Sequence, residues 1–278
     1  MAEFFNFATT TDLLGRDFVQ QAVIALALLG LIGGLLSPLI VTRQMSFAVH
    51  GISELTVTGA AAALLAGVSV NLGGIVGAVI AALTFGILGN RARERDSVIG
   101  VVMAFGLGLG VLFLALYGNA KQGFALLTGQ VVSVGTGRLL AVAITALVVV
   151  VVLAVIYRPL LFASVDPRVA LASGVPTRLL SVVFAVLMGL ACAQGVQVIG
   201  ALLVMSLVIT PGAAAMRLSS NPAVVTGLAI LFAEIAAIGG LILSLAPGLP
   251  VSVFVTTISF VIYLACRWFG RNRVHAGA

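Results

Sequence analysis

Charge is what this chain most nearly lacks. Among its 278 residues only 8% are charged, and it carries one lysine, one tryptophan, two histidines and two cysteines. The sole lysine, Lys121, has no Gly-x-x-x-x-Gly-Lys-Ser/Thr frame around it, so the chain holds no P-loop and no ATPase site of that kind. Two cysteines, Cys192 and Cys266, make neither a disulfide framework nor a paired-Cys metal site. With His275 close to the C-terminus as the only histidine besides His50, no Ser-His-Asp set and no zincin helix can be assembled. The stretch MAEFFNFATTTDLLGRDF lacks the basic leader and short apolar core of a cleaved signal peptide, so the first span, from about Phe18, is expected to be retained.

What is present is hydrocarbon. Hydrophobic residues make up 62% of the chain and its mean hydropathy is +1.28. Apolar runs of eighteen or more residues read as membrane-crossing helices, and here they follow one another with short connections. The 32 glycines suit helices that pack closely through small residues. The fold class expected is therefore an all-α polytopic membrane protein, a single permease domain over residues 1–278. Nine spans are expected at roughly 18–42, 47–68, 71–89, 97–117, 138–157, 177–193, 195–215, 222–246 and 249–269. The sixth and seventh are divided only by Ala193, Gln194 and Gly195, and merging them would leave eight.

The formal charge of +6 comes from arginine. The arginines lie between spans, which is the positive-inside pattern and not a nucleic-acid surface. With nine spans Arg43, Arg91, Arg93, Arg95, Arg158, Arg168, Arg178, Arg217, Arg267, Arg271 and Arg273 all fall on one side. This predicts a short extracytoplasmic N-terminal tail, about 1–17, and a cytoplasmic C-terminal tail, about 270–278. The outer loop 118–137 is Gly-rich and half apolar, either a partly immersed connector or a docking surface. The inner loop 158–177 contains Asp166-Pro167, an N-cap followed by proline at the first helical position, and Gly174 as a stop. A short capped helix on the cytoplasmic side is predicted there, placed to engage a partner.

Three ionisable side chains lie inside the apolar runs: His50, Glu54 and Glu234. A charge in hydrocarbon costs about 2.5–3.5 kcal/mol, so such residues commonly mark a path for substrate or ions. His50 and Glu54 are four residues apart and share one helix face. They either bond to each other, hiding from lipid, or handle a cation. Imidazole plus carboxylate suits divalent first-row metals, and two ligands are too few to hold one permanently. Glu234 is alone in its span; it can bond a neighbouring helix or line a pore.

Five segments carry a resemblance to a known family. RQMSFAVHGISELTVTG, from Arg43 to Gly59, is similar to an Arg-x-Met-Ser segment running to a glycine. NRARERDSVIGVVMAFGLGLGVLF resembles an Arg-rich loop followed by Asp-x-x-Ile-Gly and Gly-x-x-Leu-Gly. DPRVALASGVP, VIGALLVMSLVITPGAAA and LILSLAPGLPVSVFV resemble three further segments in the same order, with Ser252 where glycine is usual. The family is that of the integral membrane subunits of bacterial zinc, manganese and chelated-iron ABC importers. The resemblance implies a permease in the bacterial plasma membrane moving zinc or manganese, with no permanently bound cofactor. It implies as partners a second copy of the chain, a cytoplasmic ABC ATPase dimer and an extracytoplasmic metal-binding protein. The ATPase would engage the loop carrying Asp166, Pro167, Arg168, Ala170, Gly174 and Val175. In that family an Asp precedes a His by four residues in the second span; here the order is reversed, His50 then Glu54. The runner-up readings are a permease for a metal chelate such as a siderophore or corrinoid, and a proton-coupled secondary transporter using Glu54 or Glu234.

Overall fold

A computed structural model describes residues 13–88, 92–118 and 134–276, and among these every regular element is helical. The helices are α1 (Asp17–Thr42), α2 (Ser46–Leu65), α3 (Val70–Leu88), α4 (Ala92–Tyr117), α5 (Thr136–Val165), α6 (Pro167–Ala172), α7 (Thr177–Ile199), α8 (Ala201–Ala215), α9 (Pro222–Leu245) and α10 (Val251–Ala276). Among the described residues eight helices are long and apolar enough to cross a membrane. The remaining apolar helix, α8, has 15 residues. At 1.5 Å per residue it spans about 22 Å, short of the roughly 30 Å of a hydrocarbon core.

The nine expected spans each correspond to a helix, but three boundaries move. The division between the sixth and seventh lies at Gly200, not at 193–195. Gly200 has φ 92° and ψ 155°, a region open in practice only to glycine, and there the helical ladder stops. Ala193, Gln194 and Gly195 are instead buried inside α7. The fifth helix runs through Tyr157, Arg158 and Pro159 to Val165, so the expected loop at 158–177 shrinks to α6 and its two caps. The fourth begins at Ala92, inside the arginine-rich stretch. Of the expected outer loop 118–137, residues 119–133 lie outside the described residues, as do most of the N-terminal tail and Lys121.

The chain packs as two units. One comprises residues 1–41, 130–146 and 203–278; the other, residues 42–129 and 147–202. In the first, Pro38 and Pro211 lie inside α1 and α8, which continue through them. A mid-helix proline removes one N–H and disturbs its neighbours' bonding. Ser37 compensates: its hydroxyl accepts from the Gly212 N–H at 2.7 Å and donates to the Ile209 carbonyl at 2.9 Å. Gly34 lets α1 approach α9 until a Cβ there would lie 2.5 Å from the Ile230 Cα.

In the second unit α2 is the central element, packed against α3, α4 and α7. Glycines set these approaches. Gly59 meets Gly73 and Gly77, four residues apart on α3, and Leu55 and Thr58 fit over Gly106 and Gly110, four apart on α4. Small residues at such spacing let membrane helices come close enough for backbone dispersion contact. Cys192 and Cys266 are both free and buried.

Candidate functional site

α2 carries more polar side chains than an apolar environment tolerates without partners, and most of them are satisfied. The Ser53 hydroxyl donates to the Val49 carbonyl at 2.9 Å and the Thr56 hydroxyl to the Ile52 carbonyl at 2.7 Å. These bonds fold the hydroxyls back onto their own helix. The Thr58 hydroxyl lies 2.9 Å from the Gly106 carbonyl of α4 and 3.3 Å from the Glu54 carbonyl. His50 and Glu54 have no such arrangement. Among the described residues no hydrogen bond or ion pair joins the two side chains, so the mutual pairing weighed from the sequence is absent here.

Their surroundings differ from those of the rest of the helix. Ala48, Val49, Ile52, Ser53, Thr56, Val57, Ala60 and Ala61 face inward and are buried. His50, Glu54 and Thr58 are half-buried and lie along one stripe, flanked by the exposed Phe47 and Leu65. The Phe47 ring stands 6.4 Å from the imidazole, centroid to centroid, tilted by 42°. The rotation of α2 that aims this stripe is held by the glycine contacts at Leu55, Thr58 and Gly59. A third metal-ligating side chain does not join them: among the described residues no group of three or more His, Cys, Asp or Glu could hold an ion. One chain therefore offers an imidazole and a carboxylate on an open face.

Glu234, the third ionisable residue of the apolar runs, belongs to the other packing unit and sits half-buried on α9. Its carboxylate lies over Gly30 of α1, where a Cβ would come within 3.0 Å of Oε1. The missing side chain at Gly30 is what makes room for the acid. A hydrogen bond from a neighbouring helix, one of the two roles open from the sequence, is not seen among the described residues.

The capped helix forms as its residues predict. Asp166 Oδ1 accepts from the Arg168 and Val169 N–H groups, both at 3.0 Å, and Pro167 takes the first helical position. At the other end Gly174 has φ 80°. The Val175 N–H donates to the Ala170 carbonyl at 3.0 Å and the Gly174 N–H to the Leu171 carbonyl at 3.1 Å. That pair of bonds is the Schellman closure, which needs a left-handed residue at the glycine position. Ala170 is buried beneath the helix, while Asp166, Pro167, Arg168, Val169 and Leu171 project outward. Val165, Leu171 and Leu179 are each more than half exposed, giving α6 an apolar rim.

The surroundings of two residues escaped the sequence reading. Thr58 extends the stripe of His50 and Glu54 by one more turn, and a hydroxyl in an apolar helix gives little signal of its own. Arg43 stood out as a loop arginine and as the start of the Arg-x-Met-Ser segment, but its partners, Ser164, Ser181 and Phe184, lie far along the chain and gave no signal there.

A family model described as "ABC 3 transport family" matches residues 15–270. The manganese transport system membrane protein MntC of Halalkalibacterium halodurans is 33% identical over 84% of this chain and 80% of its own length. The manganese import system permease protein ScaB of Streptococcus parasanguinis is 26% identical over 89% of both chains. Among solved structures, PsaBC from Streptococcus pneumoniae in complex with Fab has a similar fold, with a TM-score of 0.84 and 23% identity. That match covers 94% of this chain and 95% of the other.

Proposed function

The chain belongs to the ABC 3 transport family, and from that premise we propose that it is the membrane-spanning subunit of an ATP-driven importer of a divalent metal, manganese ahead of zinc. The naming of its relatives as manganese permeases supports the choice of ion. The observation that carries the mechanism is the half-buried pair His50 and Glu54 on one stripe of α2, which continues to Thr58 at the contact with α4.

A divalent cation entering the bilayer must exchange water for protein ligands. An imidazole nitrogen and a carboxylate supply two donors suited to a first-row metal, and Glu54 offsets part of the charge. Two donors leave coordination positions for water. The ion is therefore held loosely enough to move on, as conduction requires. A second copy, related by a two-fold axis, would present the same pair and could complete a shared site. Energy comes from a separate ATPase, since this sequence has no P-loop. It docks on α6, where Arg168 and the apolar rim of Val165, Val169 and Leu171 are exposed. This puts α6 in the cytoplasm; with the short α8 completing a ninth crossing where the bilayer thins to meet it, the C-terminal tail is also cytoplasmic and the N-terminal tail outside, in keeping with the arginine distribution. An extracytoplasmic binding protein delivers the ion on that outer side.

The test is manganese uptake by cells expressing the whole importer. Glu54→Gln keeps size and hydrogen bonding but removes the charge, and should lower uptake at least tenfold at normal protein level. His50→Ala should do the same, and the double variant should be little worse than either, because both act on one ion. Wild-type uptake in both single variants would remove the metal site from α2.

A further inference from the structure

Arg43 stands in the three-residue junction between α1 and α2, and its side chain does not point along either helix. One terminal nitrogen donates to the Ser164 hydroxyl at 3.1 Å and the other to the Ser181 hydroxyl at 2.6 Å. Its guanidinium carbon lies 5.6 Å from the centroid of the Phe184 ring, which is fully buried. Ser164 is in the last turn of α5 and Ser181 in the second turn of α7. These are the two segments that enter and leave α6. Ser164 is itself fixed, donating to the Leu160 carbonyl at 2.6 Å. One guanidinium thus clasps both stems of the capped helix.

On its other side Arg43 is tied to α2 by a short, constrained link. Gln44 is the only described non-glycine residue with positive φ, 54°, a conformation that persists when surrounding contacts enforce it. Met45 is buried, and its carbonyl accepts the Val49 N–H at 3.1 Å, so α2 begins at once. His50 follows Ser46 by about 6 Å of helix rise. A displacement of the α6 stems that drags Arg43 therefore has little slack before it reaches the metal-bearing helix.

We propose that Arg43 is a positioning residue that transmits movement of the ATPase-docking helix α6 to α2 and its His50–Glu54 pair. The proposal rests on the transporter reading above. A planar fork is needed because it reaches two hydroxyls at once and stacks on an aromatic ring, which an ammonium group cannot do together. Without the fork, the stems of α6 can shift while α2 stays behind.

The experiment uses the whole complex, permease with its ATPase in liposomes supplied with the delivery protein and manganese, and reads ions taken up per ATP hydrolysed. Arg43→Gln should hydrolyse ATP at close to the wild-type rate while uptake per ATP falls at least tenfold. Arg43→Lys should lie between. The pair Ser164→Ala and Ser181→Ala should reproduce the loss, and adding Arg43→Gln to it should deepen the loss less than twofold. Spin labels at the exposed Leu171 and Leu65 should change separation with ATP in the wild type and cease to do so in Arg43→Gln. Uptake and hydrolysis falling in proportion, or a label movement unchanged in the variant, would overturn the proposal. If Arg43→Gln yields no folded complex, the serine pair decides by the same two readouts. A wild-type complex that takes up no manganese with ATP would overturn the transporter reading and this proposal together, whereas full coupling in the variants overturns this proposal alone.

Discussion

Gly30 and Gly34 lie one turn apart on α1 and make opposite demands on an added methyl group. At Gly34 the neighbours are backbone: the Ile230 Cα at 2.5 Å and N at 2.8 Å from the Cβ position. Backbone cannot yield without moving α9, so Gly34→Ala should destabilise by about 1–3 kcal/mol, as overpacking does. At Gly30 the neighbour is the end of the flexible Glu234 side chain, 3.0 Å away. Gly30→Ala should therefore cost under about 1 kcal/mol and shift the carboxylate instead. Thermal unfolding of the two purified variants in detergent checks this; equal midpoints would contradict the packing. At this scale the sequence was partly legible. His50, Glu54 and Glu234 stood out because ionisable groups are rare in hydrocarbon. The niche at Gly30 did not, because a glycine in an apolar run looks the same whether it faces lipid or an acid.

Helix ends show what decides an element. Asp166→Ala removes the acceptor of two N–H bonds, at about 1 kcal/mol. Gly174→Ala forces a side chain into φ 80°, for roughly 1–2 kcal/mol. Because α6 is short and exposed, both losses should be local. Amide exchange over 169–172 should accelerate roughly fivefold with little change in the global unfolding midpoint; an unchanged exchange rate would show that α6 does not depend on its caps. Ser37→Ala is the buried counterpart. It strands the Gly212 N–H and the Ile209 carbonyl, so a loss of about 1–3 kcal/mol should appear in the midpoint. Caps were readable in sequence because their chemistry is local: Asp-Pro at one end, glycine at the other. The ends of α5 and α7 were not. The fifth span was expected to end at 157, yet α5 runs on through Arg158 and Pro159 to Val165, and the small residues at 193–195 read as a break, yet α7 buries them. In α7 tertiary packing outweighs the local preference.

Over the whole molecule, the order of the spans was visible and their environments were not. α4 is as apolar as α1, yet Val101, Phe105 and Val111 of α4 are each about two-thirds exposed while α1 is largely interior. Lipid and protein interior are equally apolar, so hydropathy cannot separate the two. That same physics bears on how the chain is made. α2 has the lowest mean hydropathy of the eight long helices, 1.3 against 1.7 to 3.3, because it carries the polar stripe. A translocon that sorts segments by apolarity would release it into the bilayer reluctantly. Its retention then depends on neighbours that arrive later in synthesis, α3 and α4, whose glycines at 73, 77, 106 and 110 receive it. Replacing Gly73, which abuts Gly59, with valine should therefore be felt during biogenesis and not merely in the finished pore. A fraction of nascent chains would leave the second segment outside the bilayer, reversing everything downstream. A glycosylation acceptor placed at Gly67, in the turn between α2 and α3, would report that fraction in a microsomal translation assay. Identical glycosylation of the parent and the valine variant would show that α2 inserts on its own.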